Sequence, residues 1–179
     1  NKRLKNIMPS KKIFTVTNTV NSYYVNQLKR PFKLPPCINN EFRLLTLSAW
    51  YPHKNLDIIP KVIDLLIQRG YPNIKFIVTL NKDDMNLLSS DKNYEQLINV
   101  GPVKIEDGAS LYQECHAMFL PSLIECFSAS YAEAMHTKKP IITSDMGFAH
   151  TVCKDAALYF DPVDEKDIAS KIIKLYKSK

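Results

Sequence analysis

Two glutamates eight residues apart, Glu125 and Glu133, are the side chains of this sequence best spaced to do chemistry together. Glu125 follows an apolar run ending at Pro121, and Glu133 lies inside the helix-patterned segment beyond it. Eight residues advance a helix by about 12 Å and leave the two positions about 80° apart. A pair so placed would flank a helix N-terminus, where free N–H groups and the dipole attract an anion such as phosphate. A carboxylate also suits a vicinal diol, because each oxygen accepts a hydrogen bond from a neighbouring hydroxyl. One glutamate could then hold a sugar on one side of a diphosphate, and the other a ribose on the far side. By spacing alone the commoner meaning is an exposed helix Glu near a loop Glu, and both readings stand at this point.

Other reactive side chains are less organised. His53, His116, His136 and His150 have no metal-ligand spacing. His116 and His136 are expected to be core or surface residues, and His150, in a loop expected over 145–152, sits at the edge of the site. Cys37, Cys115, Cys126 and Cys153 form no C-x-x-C pair, so neither zinc nor a disulfide framework is expected, and a reducing compartment fits best. Cys126 opens a helix without an evident base, so a catalytic thiol is not expected. Trp50 and Tyr51 read as packing residues.

The elements that must position the glutamates follow from hydrophobic period. Strands are expected at 43–49, 74–80, 116–121, 140–143 and 157–160, with a short strand or turn at 99–103. A helix follows the first strand, with Leu56, Ile59, Ile63, Leu66 and Ile67 on one stripe; Asp57 would cap it, Pro60 would fall in its first turn, and Gly70 would stop it. Short helical pieces are expected within 83–98, and helices at 108–115 and 126–137. Asp164 would cap a last helix with Ile168, Ile172, Leu175 and Tyr176 on one face. Short strands alternating with helices imply right-handed β-α-β units, hence an α/β fold with an open doubly wound parallel sheet and a ligand site at the carboxyl ends of its strands.

Composition narrows the function classes. The 179 residues are 45% hydrophobic and 23% charged, too apolar for a disordered chain and long enough for one core. No apolar run reaches the ~18 residues of a membrane span. The net charge of +6 is not spread over the fold: residues 1–40 hold eight Lys or Arg and no acid, and the other 139 residues carry 16 basic and 18 acidic side chains. That distribution argues against a nucleic-acid-binding face and makes the leading segment a solvated arm or an interface. Residues 1–42 are expected to be a basic lead-in or interdomain linker, with one short strand at 13–16 and a Pro-rich stretch at 30–36; residues 43–179 form the Rossmann-like domain.

The phrase PSLIECFSASYAEAM at 121–135 resembles the Glu-x7-Glu signature of the retaining, family 4 glycosyltransferases, within their C-terminal, donor-binding half of the GT-B fold. The resemblance extends through KKPIITSDMGFAHTVCKDAALYFDP at 138–162, LLTLSAWYPHKNLDIIPKVIDLL upstream, VGPV at 100–103 and LYQECHAMFLPS after it, covering 43–179 in order. It implies transfer of a hexosyl group from a nucleoside diphosphate sugar to an acceptor hydroxyl, without a metal or other cofactor. Lys54 would meet the donor diphosphate and stabilise charge on the leaving group, Glu125 would hold hydroxyls of the transferred sugar, and Glu133 would accept from the ribose. Backbone groups of the Cys126–Phe127–Ser128 stretch would face the sugar or β-phosphate, and those near Pro102 and Val103 would read the base.

Four positions depart from the family pattern: Cys126 and Ser128 replace frequent glycines, Ala49 stands where an Arg helps the lysine, and Thr151 where a Glu is common. The partners implied are a nucleotide sugar and an N-terminal acceptor-binding domain, with no nucleic acid. The chain, opening on Asn1, is then a fragment expected to bind donor weakly and to transfer little. A cytoplasmic setting is expected, with contact to the inner face of a membrane reserved for the full-length enzyme through a lipid-linked acceptor. The alternatives are a non-catalytic nucleotide-binding or interaction module and a nucleotide-sugar epimerase. Nucleobase, sugar, acceptor and linkage are not specified by these residues.

Overall fold

The computed structural model describes residues 2–12, 14, 19–25, 34–38, 40–89 and 92–178. Six strands, β1 (Phe42–Thr46), β2 (Ile74–Val78), β3 (Leu97–Asn99), β4 (Ala117–Leu120), β5 (Ile141–Ser144) and β6 (Ala157–Phe160), form one sheet in the order β3-β2-β1-β4-β5-β6. Every pairing is parallel. Among the described residues eight α-helices accompany them: α1 (Lys2–Ile7), α2 (Ser22–Val25), α3 (Ile58–Gln68), α4 (Lys82–Leu88), α5 (Gly108–Gln113), α6 (Ala129–His136), α7 (Gly147–Cys153) and α8 (Glu165–Lys177). This is the expected doubly wound, Rossmann-like α/β architecture.

Both faces of the sheet are covered, so its strands read as continuous apolar runs rather than as alternating ones. Leu44, Phe76, Val78, Phe119, Ile142 and Phe160 point to one face and pack with α3, α4 and α8. Leu45, Ile77, Met118, Leu120 and Ile141 point to the other and pack with α2, α5, α6 and α7. Phe76, Phe119 and Phe160 cross the first face in contact, with successive ring centroids 5.4 Å apart. Such ring pairs add about 0.5–1.5 kcal/mol each beyond the area they bury.

The helix ends follow their local chemistry. Asp164 accepts from the N–H groups of Lys166 and Asp167, as its position ahead of α8 predicts. Asp57 precedes α3 in helical conformation without capping it, while Pro60 still falls in the first turn, where no N–H is required. Gly70, at φ +86°, ends α3 in a Schellman motif: its N–H reaches the Ile67 carbonyl and that of Tyr71 reaches Leu66.

Several boundaries differ from the sequence expectation, and side chains explain them. The first two strands stop at Thr46 and Val78 because the loops beyond them satisfy their backbone differently. Thr79 Oγ1 accepts from the Ser48 N–H, and the Asn99 amide pairs with both the N–H and the carbonyl of Leu80. The next strand is Leu97–Asn99, and of the short strand or turn expected at 99–103 it is the turn that forms, at Gly101 with φ +75°. Ser128 is extended, so α6 begins at Ala129 rather than 126, and Glu125 stands in the turn ahead of it, as expected. The loop expected over 145–152 is mostly α7, whose Ala149 and Cys153 are buried against the second face. Within 1–42, α1 and α2 were not anticipated. Of the strand expected at 13–16, residues 13, 15 and 16 lie outside the described residues, and Phe14 is exposed outside any strand. No helix among the described residues is long and apolar enough to cross a membrane.

Replacing Asp164 by Ala removes the acceptor for two N–H groups at the start of α8 and is expected to cost about 1 kcal/mol, read as a lower urea midpoint at unchanged slope.

Candidate functional site

The sheet order turns back on itself between β1 and β4: the chain winds outward to β2 and β3 on one side and to β5 and β6 on the other. Their ladder runs only from Leu44↔Ala117 to Leu45↔Met118, after which Thr46 Oγ1 takes the Phe119 carbonyl at 2.8 Å. The carboxyl edge beyond this switch point is where open α/β sheets bind ligands.

Three loops meet there. After β1 the chain makes a 3₁₀ turn, Pro52–Lys54, closed by Asn55 in the left-handed region at φ 55°. The Asn55 amide donates to the carbonyls of Pro121, beyond β4, and Pro162, beyond β6, at 3.3 and 2.8 Å. The His53 carbonyl accepts from the Leu123 N–H at 2.8 Å. Asn tolerates this backbone conformation better than other side-chain-bearing residues, and its amide uses both donors.

That clamp carries Lys54 to Glu125. The Lys54 Nζ lies 2.6 Å from Glu125 Oε1, which also accepts from Ser122 Oγ at 2.8 Å. The side chains are 16% and 8% exposed, so the pair is largely shielded from water and each charge depends on the other. Lys54 and Glu125 are thus brought together as the sequence suggests, in direct contact with each other.

Glu133 sits apart, half-buried on α6, with no ion pair or hydrogen bond to Lys54 or Glu125 among the described residues. Its carboxylate faces two phenols: Tyr112 Oη approaches Oε2 at 3.5 Å, and the Tyr24 hydroxyl acts on it from α2. Burial raises the Glu133 pKa above the usual carboxylate range, and the phenols partly offset this by donating to the ionised form. In folding, the native state therefore holds this proton more tightly than the unfolded chain does. The buried charge costs stability above the native pKa, and that cost is relieved as pH falls through it.

The other expected positions have varied surroundings. Cys126 is an exposed thiol, Phe127 is partly exposed, and buried Ser128 precedes α6 without a side-chain cap. Pro102 is exposed beyond β3, while Val103 packs against the second-face core, which includes Tyr24. Ala49 is exposed, and Thr151 bonds inside α7 to the Gly147 carbonyl. His150 lies on α7 rather than in a loop, stacked on Tyr159 and 2.6 Å from Asp145 Oδ1. His116 is partly buried, accepts from the Arg43 N–H and lies tilted against the Phe42 ring, as a satisfied structural histidine should. Trp50 packs on the first-face core, whereas Tyr51 is exposed against His53 and does not cap the core. Among the described residues, no three His, Cys, Asp or Glu side chains cluster as metal ligands would.

Sequence reasoning missed Asn55, Ser122, Tyr24 and Tyr112. An Asn directly after the turn lysine and a Ser three residues ahead of Glu125 were usable local signals. Nothing local links Tyr24 to Glu133.

The site therefore offers an ammonium–carboxylate pair at the switch point and a second carboxylate of raised pKa on the following helix. A double-mutant cycle on Lys54→Met and Glu125→Gln should give a coupling free energy of about 1–3 kcal/mol in urea unfolding, as for a shielded charged hydrogen bond.

The same arrangement has relatives. The chain is 29% identical over 171 residues to the O-antigen chain mannosyltransferase RfbU of Salmonella typhimurium, an alignment covering 91% of this chain and 44% of that protein. It thus spans less than half the length of that curated relative. Among solved structures, a variant of S. aureus TarM in complex with fondaparinux, α-GlcNAc-glycerol and UDP superposes with a TM-score of 0.70 at 21% identity, covering 98% of this chain and 35% of that one. OtsA in its apo form gives 0.69 at 12% identity over 87% of this chain and 42% of its own. These likenesses establish the fold as that of GT-B glycosyltransferases. The family model described as "Glycosyl transferases group 1" matches residues 41–178, nearly the whole length, and the chain belongs to that family.

Proposed function

We propose that this chain is the donor-binding part of a retaining glycosyltransferase that moves a hexosyl group from a nucleoside diphosphate sugar to an acceptor hydroxyl. The observation that carries the reading is the Lys54–Glu125 pair, held at 2.6 Å across the loops leaving β1 and β4 at the point where the sheet order reverses. Membership of the group 1 family supports it, as do the mannosyltransferase named among its relatives and the nucleotides bound in two structural neighbours. UDP is present in the TarM complex, and an E. coli trehalose-6-phosphate structure of the same fold, superposing with a TM-score of 0.62, holds UDP-2-fluoroglucose.

In this reading the donor diphosphate takes Lys54 from Glu125. The ammonium then faces the charge that grows as the nucleoside diphosphate leaves, an interaction stronger in the transition state than in the ground state. The freed Glu125 carboxylate accepts from hydroxyls of the transferred sugar, with Ser122 keeping one oxygen oriented. Glu133 accepts from ribose hydroxyls, and backbone groups of Cys126, Phe127 and Ser128 approach the sugar and β-phosphate. Main-chain groups at Pro102 and Val103 meet the base. Lys54 supplies the countercharge in place of a metal ion.

Residues 43–179 are the nucleotide-sugar domain and 1–42 the lead-in from an N-terminal acceptor domain, the remainder of a protein about twice this length. Alone, the chain binds donor weakly and transfers little. The full enzyme works in the cytoplasm, with membrane contact only through its acceptor.

A second reading, a non-catalytic nucleotide or interaction module, is favoured by one observation: Lys54 and Glu125 already neutralise each other. NMR titration with UDP-, GDP- and ADP-sugars separates the two. Saturable shifts at Lys54 and Glu133 are expected for a donor site, and silence at millimolar concentration of all three supports the module. Glu133→Ala should weaken nucleotide binding by about 1–3 kcal/mol. Because Glu133 accepts at both oxygens, and most strongly, only when ionised and its pKa is raised, affinity should be full at higher pH and fall as pH drops through that pKa, starting above the ordinary carboxylate range. A binding curve flat through that range would remove Glu133 from the role.

A further inference from the structure

Tyr24 lies on the four-residue helix α2, ahead of the first strand, yet it is only 1% exposed. Its ring meets that of Tyr112 edge-on at 6.1 Å, and Tyr112 itself is fully buried. Its hydroxyl lies over Gly108, where any Cβ would collide with it. Helix α2 packs on α6, so the hydroxyl acts on the Glu133 carboxylate, beside Tyr112 Oη, which stands 3.5 Å from Oε2 and 3.3 Å from the Ser130 carbonyl. Phenylalanine would fill the same space without a buried hydroxyl that needs a partner. Instead, a neutral donor is fixed against a carboxylate that is itself costly to bury.

We propose that Tyr24 is a positioning residue for Glu133: its hydroxyl, with that of Tyr112, holds the carboxylate in the orientation that accepts the donor's ribose, so a segment outside the Rossmann core sets nucleotide affinity. The proposal rests on the donor-site reading above. An ionised carboxylate has about four acceptor directions, so two phenols leave others for a diol. Burial pushes both phenols well above the ordinary tyrosine range, so they remain donors at every working pH.

The remaining surroundings are simple. Of the elements packed against α6, β4 and β5 carry no ionisable side chain, and α2 carries Tyr24 and the exposed Tyr23. Helix α5 contributes Tyr112, and the 3₁₀ turn Ile105–Asp107 against α2 and α5 carries the half-exposed Glu106 and Asp107.

The test compares the chain with Tyr24→Phe, Tyr112→Phe and Glu133→Gln. Each is titrated with UDP, GDP and ADP, and the Glu133 carboxyl is followed against pH by carbon NMR in wild type and the two Phe variants. Tyr24→Phe removes one oxygen and should keep the melting temperature. It is expected to weaken nucleotide binding two- to tenfold, a typical range for one lost hydrogen bond. It should also move the Glu133 titration, and with it the acid limb of binding, to higher pH; Tyr112→Phe should move both readouts the same way. Wild-type affinity and an unmoved carboxyl titration in Tyr24→Phe overturn the proposal even where Glu133→Gln binds poorly. Wild-type binding by Glu133→Gln, or no binding of any of the three nucleotides by the wild type, overturns the donor-site reading and the proposal with it. Should Tyr24→Phe not fold, Tyr112→Phe decides by the same two readouts.

Discussion

The parting of β1 and β4 after Leu45 and Met118 is the constraint on which the carboxyl edge of this protein depends. Parallel strands that keep pairing leave no room between their exits. Here the ladder ends, Thr46 closes it with a side-chain hydroxyl, and a loop follows each strand. The gap would carry unmet polar groups if the loops did not meet again. They do so through the Lys54–Glu125 pair and the backbone contact between His53 and Leu123. Because the pair is mostly shielded, removing either partner leaves a charge without compensation, and this ties the geometry of the site to the stability of the edge.

The two glutamates that share one sequence motif have opposite surroundings. Glu125 rests on a cation and a serine hydroxyl, whereas Glu133 rests on neutral phenols in a half-buried position that raises its pKa. Environments that separate like groups in this way commonly separate their tasks. The distinction does not come from helix periodicity, because α6 begins only at Ala129 and Glu125 belongs to the loop.

Much of the fold was legible because both faces of the sheet are buried. Ile74, Phe76 and Val78, or Phe119 and Leu120, leave little doubt of a strand, and the stripe Ile59–Ile63–Leu66 ends at a glycine with positive φ. Lys54 was singled out by the family resemblance and Glu125 by its spacing from Glu133, and the fold brings the two into direct contact. What was not legible depended on contacts remote in sequence. Helix α7 reads as a loop because it is only seven residues long and its apolar Phe148, Ala149, Val152 and Cys153 are interrupted by His150 and Thr151. Tyr24 lies more than a hundred residues before Glu133, in a segment whose basic, Pro-rich texture points to solvent, and only the fold shows that its ring belongs to the core.

Asn55 deserves the last consideration, since one amide group spans the exits of three strands through Pro121 and Pro162. A chimera that borrows any one of these segments from another group 1 enzyme inherits a mismatch at the other two. Recombination between such enzymes is compatible with this architecture when the segments travel as a set, which makes 51–55, 121–125 and 161–163 a single unit of exchange despite their separation along the chain.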